Sequence, residues 1–369
     1  MRVFQIGPTG VQEIGQLPAA VAPQSTVWIS CSRAEFDTEQ GAIQATLQTL
    51  CGIQLVDLHV SDLLNAQLPS HYDYTAQYDL LVFRRLASAT AAGEAAPAGT
   101  ESSAPARRTG PPILRRIDTS PVGFAVFDNV LLSVHPVDCA VRDAYAQRLL
   151  SGTAESLRDN GSRIPTSAAD LMLRIVSQIV DRYLDLRREL SRQLDHWQAE
   201  LLAPNARFTN WSALLDARLA LHALDDVAED QRTAIQDWTA ALETWPPADT
   251  QAGQREHDLL KVRSRDVLEH IERVVRHVRR LEQNAETTVQ MHFSAQGHRT
   301  NEIMRTLTVL TAVFLPLNLI TGFFGMNFDF LPLVHRQAGI WWTIGTMTLL
   351  AAGLVGVFWR KRYLARTAR

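Results

Sequence analysis

The chain has 369 residues, 46% hydrophobic and 20% charged, with 36 Lys+Arg against 39 Asp+Glu for a net charge of −3. This balance excludes a collagen-like, wholly disordered or many-spanning chain, and it lacks the global basicity of a nucleic-acid binder, so no nucleic-acid partner is expected. Three cysteines, Cys31, Cys51 and Cys139, with no C-x-x-C pair, exclude a thiolate zinc site and a disulfide scaffold and fit a reducing compartment.

The opening MRVFQIGPTG has neither the basic start, the apolar stretch nor the cleavage site of a signal peptide, which places the N-terminal part in the cytosol. Residues 1–165 read as a cytoplasmic α/β domain. Short β-prone runs (MRVFQI, VWISC, IQLVDL, YDLLVF) alternate with helix-like TEQGAIQATLQTL, and PVGFAVFDNVLLSVHP forms two β-rich runs around an Asp128-Asn129 turn. The Ala-, Gly-, Ser-, Thr- and Pro-rich stretch 87–112 has nothing to bury and reads as a disordered insertion.

Residues 166–247 read as a helical hairpin, its helices ended by Pro204 and by Pro246-Pro247. A stalk helix follows over 248–305, with Leu260, Val267, Ile271, Val274, Val278 and Leu281 spaced by three, four and seven among charges. Unbroken into the next segment, it would reach about 100 Å. Its five histidines, His257, His270, His277, His292 and His298, are expected to be solvated, although His270 and His277 share a face. The acids Asp225, Asp226, Glu229 and Asp230 of the hairpin likewise read as a solvated charged face.

Residues 306–328 and 337–359 are each 23 residues without a charge. At a 1.5 Å rise each crosses the roughly 30 Å hydrocarbon core, and Trp341, Trp342 and Trp359 bracket the second as interfacial aromatics would. The connection 329–336 is too short for a domain, so the two spans form a hairpin. The tail 360–369 carries five basic residues and no acid, which puts both termini in the cytoplasm by the positive-inside rule.

Along the stalk end and first span, Asn301, Met304, Thr308, Thr311, Leu315, Asn318, Gly322 and Gly325 follow one another by three and four, while Ile303, Leu310, Phe314 and Leu317 form an opposed apolar face. A polar stripe in a membrane helix faces another helix or water. The threonines can also bond back to the helix, and the glycines can serve close packing. Two spans cannot enclose water alone, so a wet path requires several copies around an axis.

GFFGMNF at 322–328 resembles the Gly-Met-Asn signature of the CorA family of divalent-cation channels, and the similarity extends back through TNEIMRTLTVLTAVFLPLNLITG. The resemblance implies an α+β membrane protein assembled as a homopentameric funnel, with first spans around the pore, second spans outside and the stalk continuous with the first span. It makes Gly325, Met326 and Asn327 the outer selectivity filter, with Asn327 facing the hydrated ion. Asn301, Met304, Leu307, Thr308, Thr311, Leu315, Asn318 and Gly322 would line the pore, Met304 and Leu307 as a hydrophobic constriction. Mg²⁺ surrenders its waters reluctantly, so amide and carbonyl oxygens suit it better than carboxylates that strip it.

The outer mouth would carry Asp329, His335 and Arg336, and there this chain departs from the family by lacking an acid after Pro332. Five copies of Arg336 oppose cation entry unless they pair with Asp329. Near the inner end, Gln290 stands where magnesium-sensing relatives place an acid. No catalytic or hydrolase motif occurs, so no enzyme and no resident cofactor is expected. The sequence thus points to magnesium transport across a bacterial-type inner or plasma membrane. Zinc, cobalt or nickel transport on the same fold, and a non-conducting anchored scaffold or sensor, are the alternatives.

Overall fold

A computed structural model describes residues 1–8, 10–22, 24–87, 118–151, 164–202, 211–246, 248–326 and 337–361. The insertion expected at 87–112 lies, beyond its first residue, outside the described residues, as do the connection 329–336 and most of the tail. The chain divides into two compact units, Met1–Glu286 and Thr287–Arg369.

Among the described residues the first unit holds seven strands: β1 (Arg2–Gly7), β2 (Gly10–Ile14), β3 (Thr26–Ser32), β4 (His71–Tyr74), β5 (Asp79–Leu86), β6 (Thr119–Val126) and β7 (Val130–His135). They form one sheet in the order β2-β1-β3-β7-β6-β5-β4. Among the described residues only β3 and β7 pair in parallel; every other pairing there is antiparallel. All seven residues of β3 and all six of β7 are buried, because these central strands are covered on both faces and so read as continuous apolar runs. The hairpin around Asp128-Asn129 joins β6 to β7.

Helix α1 (Arg33–Cys51) starts at a capping box in which Ser32 Oγ accepts from the Glu35 amide and the Glu35 carboxylate accepts from the Ser32 amide. It ends at Gly52, whose φ of 78° is the left-handed conformation that glycine adopts without a Cβ clash. Helix α2 (Asp57–Leu64) follows, and with α1 it covers one sheet face: Phe36, Ile43, Leu47, Val60 and Leu63 pack on Val27, Ile29, Leu80, Ala125 and Leu132. The β-prone run IQLVDL is therefore not a strand. Its amides find side-chain partners instead: Leu55 N–H donates to Gln44 Oε1 at 2.8 Å and Val56 N–H to the Tyr78 hydroxyl at 3.1 Å. With those donors satisfied locally, no sheet edge is needed.

Helices α3 (Ala140–Ser151) and α4 (Ala168–Leu202) take the opposite face, over Trp28, Val122 and Phe124. Helix α5 (Trp211–Thr244) packs beside them on β4 and β5. The Arg84 carbonyl of β5 accepts from both Tyr183 Oη on α4 at 3.1 Å and Gln231 Nε2 on α5 at 2.7 Å, which pins both helices to one strand.

Helix α6 (Gln251–Phe324) runs 74 residues and contributes to both units. Within the first unit Leu260, Val267, Ile271, Val274, Val278 and Leu281 are all at most 5% exposed, the face that the three-four spacing marks. Trp238 Nε1 of α5 donates to Ser264 Oγ of α6 at 2.9 Å, satisfying the only polar atom of a fully buried indole. The second unit holds the rest of α6 and helix α7 (Gln337–Arg360).

Candidate functional site

The candidate pathway is the second-unit portion of α6. Because this stretch is α-helical throughout, Asn301, Met304, Leu307, Thr308, Thr311, Leu315, Asn318 and Gly322 fall within an arc of about 120° over ~32 Å of axis. All eight are exposed. Ile303, Leu310, Phe314 and Leu317 form a second stripe centred about a third of a turn away, so the two stripes adjoin rather than lie back to back.

Both threonines bond back along the helix: Thr308 Oγ1 donates to the Met304 carbonyl at 2.7 Å and Thr311 Oγ1 to that of Leu307 at 2.9 Å. Each hydroxyl proton is thereby committed while its lone pairs remain able to accept from water. The side-chain amides of Asn301 and Asn318 have no hydrogen-bond partner among the described residues. Asn318 lies inside the span, where an amide without a partner is costly in hydrocarbon and requires a neighbouring chain or water; Asn301 lies just before the span, among charged residues. Pro316 adds a group that the stripe pattern alone does not reveal. Lacking an N–H, it leaves the Ala312 carbonyl without its helical donor, and the proline itself was the readable signal.

Past Phe324, the Gly325 amide still donates to the Thr321 carbonyl at 2.9 Å and that of Met326 to Phe323 at 3.4 Å. Gly325 and Met326 are exposed at the helix end. Of the remaining filter and mouth residues, Asn327, Asp329, His335 and Arg336 lie outside the described residues.

The apolar windows of α6 and α7 are only 6% and 0% buried, which excludes their being core helices of a soluble domain. Ile303, Phe314, Leu319, Trp341, Trp342 and Trp359 are each more than half exposed. Chemically, the polar row offers neutral oxygens and no charge between 306 and 326, a surface suited to outer-sphere contact with a hydrated cation.

The stalk histidines go separate ways. His277 Nε2 lies 2.9 Å from Ser191 Oγ, and burial with Arg187 and Arg280 nearby pushes its pKa down. His270 lies 3.7 Å from Asp181 and 3.8 Å from Asp266. Among the described residues no group of three or more His, Cys, Asp or Glu is placed to hold a metal ion. In the acidic stretch of α5, Asp225 and Glu229 both pair with Arg279 of α6, a structural use of those charges.

One clamp was beyond the reach of sequence spacing. Asp170, 0% exposed, accepts a hydrogen bond from Arg174 Nε at 3.1 Å and forms an ion pair with Arg263, Nε to Oδ1 2.8 Å, joining α4 to α6. The i,i+4 pair with Arg174 is readable as a helix-face contact; the distant Arg263 is not.

A family model described as CorA-like Mg²⁺ transporter protein matches residues 23–362. The cobalt/magnesium transport protein CorA of Thermotoga maritima is 29% identical over 100 residues, 27% of this chain and 28% of the relative. The magnesium transport protein CorA of Mannheimia succiniciproducens is 26% identical over 254 residues, 66% of this chain and 71% of the relative. The chain spans less than a third of the first curated relatives it matches.

The complete structure of the CorA magnesium transporter from Methanocaldococcus jannaschii superposes with a TM-score of 0.69 at 17% identity, covering 98% of each chain. The full-length CmaX protein gives 0.65 at 17% identity, covering 98% of this chain and 97% of that one. At such identities the likeness is one of fold. The family model, by contrast, runs from the sheet unit through both apolar helices, and on that extent the chain belongs to the CorA family, a membrane protein with two spans near its C-terminus.

Proposed function

We propose that this chain transports divalent metal cations, Mg²⁺ foremost, through a homopentameric pore lined by the first span. The observation that carries the reading is the row from Asn301 to Gly322, in which the Asn318 amide, without a partner among the described residues, shares one exposed helix face with Asn301, Thr308 and Thr311. Thr308, Thr311 and Asn318 fall within the charge-free span and Asn301 just before it. Such a row requires water or a symmetry-related copy, and several copies around an axis supply both. Relatives bearing the names cobalt/magnesium and magnesium transport protein support the ion class. Gly325, Met326 and Asn327 form the filter, with Asn327 holding the hydrated ion through its amide oxygen. Transport is passive, without a catalytic step or resident cofactor. The basic tail lies in the cytoplasm and the hairpin returns the N-terminal unit to the same side.

A non-conducting scaffold is favoured by one observation, the His335-Arg336 pair beside a single carboxylate, Asp329, in the short outer connection. Liposome uptake decides between them. The full chain reconstituted as verified oligomers is expected to take up Mg²⁺, and Asn327→Ala to lower uptake at least about tenfold, the size of a lost oriented oxygen contact with a charged ion. Absence of flux for Mg²⁺, Co²⁺, Ni²⁺ and Zn²⁺ alike overturns the transport reading. Undiminished flux in Asn327→Ala overturns the filter assignment.

A further inference from the structure

In the first unit a cavity of about 200 Å³ opens between α3, α4 and α6, lined by Tyr145, Arg148, Arg174, Arg263, Asp181 and Asp266 with their neighbours. Three guanidiniums meet there from three helices. Arg174 and Arg263 spend one nitrogen each on the buried Asp170, and neither makes another ion pair or hydrogen bond among the described residues. Asp170 is the carboxylate that pairs with Arg174 and Arg263, Asp266 acts on Arg263 from the cavity wall, and Arg148 is left without an ion pair among the described residues.

A second observation points the same way. Tyr145 is 4% exposed, and its buried hydroxyl has no hydrogen-bond partner among the described residues. A buried hydroxyl without a partner is rare because it forfeits its hydration for nothing, and it calls for a bound group. Burial raises the Tyr145 pKa, Arg174 pulls it down, Asp170 raises it, and Arg263 and Arg148 pull it down, so all three cations act on that one oxygen alongside Asp170. The hydroxyl therefore stays protonated and able to donate. Of the acids on the wall, Asp266 stands one turn from Arg263 on α6 and acts on that guanidinium, while Asp181 is two turns along α4 from Arg174, ~10 Å away; both flank His270.

We propose that this cavity binds a small phosphate-bearing anion, held by Arg148, Arg174 and Arg263 and by a hydrogen bond from Tyr145. Guanidinium forks match phosphate oxygens in geometry and charge, and three of them suit a dianion better than a carboxylate. At about 200 Å³ the cavity has room for a phosphate group with a short substituent. Such a ligand bridges α3 and α6, bracing the stalk segment against the sheet layer and so giving cytosolic phosphate chemistry a hold on the stalk.

Calorimetric titration of the full chain in detergent, at constant ionic strength and in phosphate-free buffer, tests this with inorganic phosphate and glycerol phosphate as separate probes. Arg148→Gln is the variant of choice, since Arg174 and Arg263 support Asp170 and their loss endangers folding. Saturable binding of either probe to the wild type is expected, about tenfold weaker in Arg148→Gln and about fivefold weaker in Tyr145→Phe. The exposed Arg188→Gln on α4 should bind as wild type does. The tighter probe identifies free phosphate or a phosphate monoester as the natural chemistry. No saturable binding of either probe, or wild-type affinity in Arg148→Gln, overturns the proposal.

Discussion

His135 ends β7 at 1% exposure, with its Nε2 2.9 Å from Ser30 Oγ. Burial first, and then the Arg142 guanidinium, push its pKa down to about 4, against opposing pulls from the Pro136 carbonyl, Asp143 and Glu35. The folded ring is thus neutral where the unfolded one, near its usual 6.5, still binds a proton. Stability from this group is fully present above about pH 6.5 and is lost as pH falls from there through 4, by roughly 3 kcal/mol at most. Thermal unfolding in detergent should show wild type losing stability more steeply than His135→Gln across that window. Equal slopes would refute the neutral buried ring. At the same scale, the backbone bonds of Thr308 and Thr311 do not disqualify them as pore residues, because a hydroxyl that donates to its helix can still accept from a hydrated ion's water.

Among the elements, β6 and α2 approach unusually closely at Gly123, where an added Cβ would lie 2.3 Å from Leu63 Cδ2 and 3.6 Å from its Cγ. Leu63 is 2% exposed, so its methyl would have to shift within packed surroundings. Gly123→Ala should therefore destabilise the first unit by about 1–3 kcal/mol, read as a lowered unfolding temperature. An unchanged temperature would mean that α2 shifts freely on the sheet. Neither Gly123 nor α2 was readable in advance, because IQLVDL has the composition of a strand and only contacts with Gln44 and Tyr78 make it a turn into a helix. Strands β2 and β4 carry no apolar run and escaped notice for the same reason: partner strands, not their own residues, define them. By contrast β3, the β6-β7 hairpin and the buried face of α6 were legible, since each is written in local periodicity or in a turn pair.

Across the whole molecule, one sheet unit and one pair of exposed apolar helices share the chain. The near-neutral net charge hides that division, while the two charge-free runs and the basic tail disclose it. The shared face of the row from Asn301 to Gly322 was legible for a physical reason: its members lie on a single continuous helix, so spacing alone sets it. The Arg-lined cavity was not, because Arg148, Arg174 and Arg263 come from three helices that only tertiary packing brings together.

The most direct test of the row as a wet pore wall is thiol labelling of the reconstituted oligomer with a membrane-impermeant reagent. Single cysteine substitutions are placed at Thr308, Thr311, Leu315 and Asn318 and at Ile303, Leu310, Phe314 and Leu317. A Cys51→Ser background keeps the baseline low, since Cys31 and Cys139 are buried. The first four positions should label at least about tenfold faster than the last three of the second set, which face lipid or a neighbouring helix. Equal rates on the two stripes, or faster labelling at Leu310, Phe314 and Leu317, would contradict a pore lined by this helix.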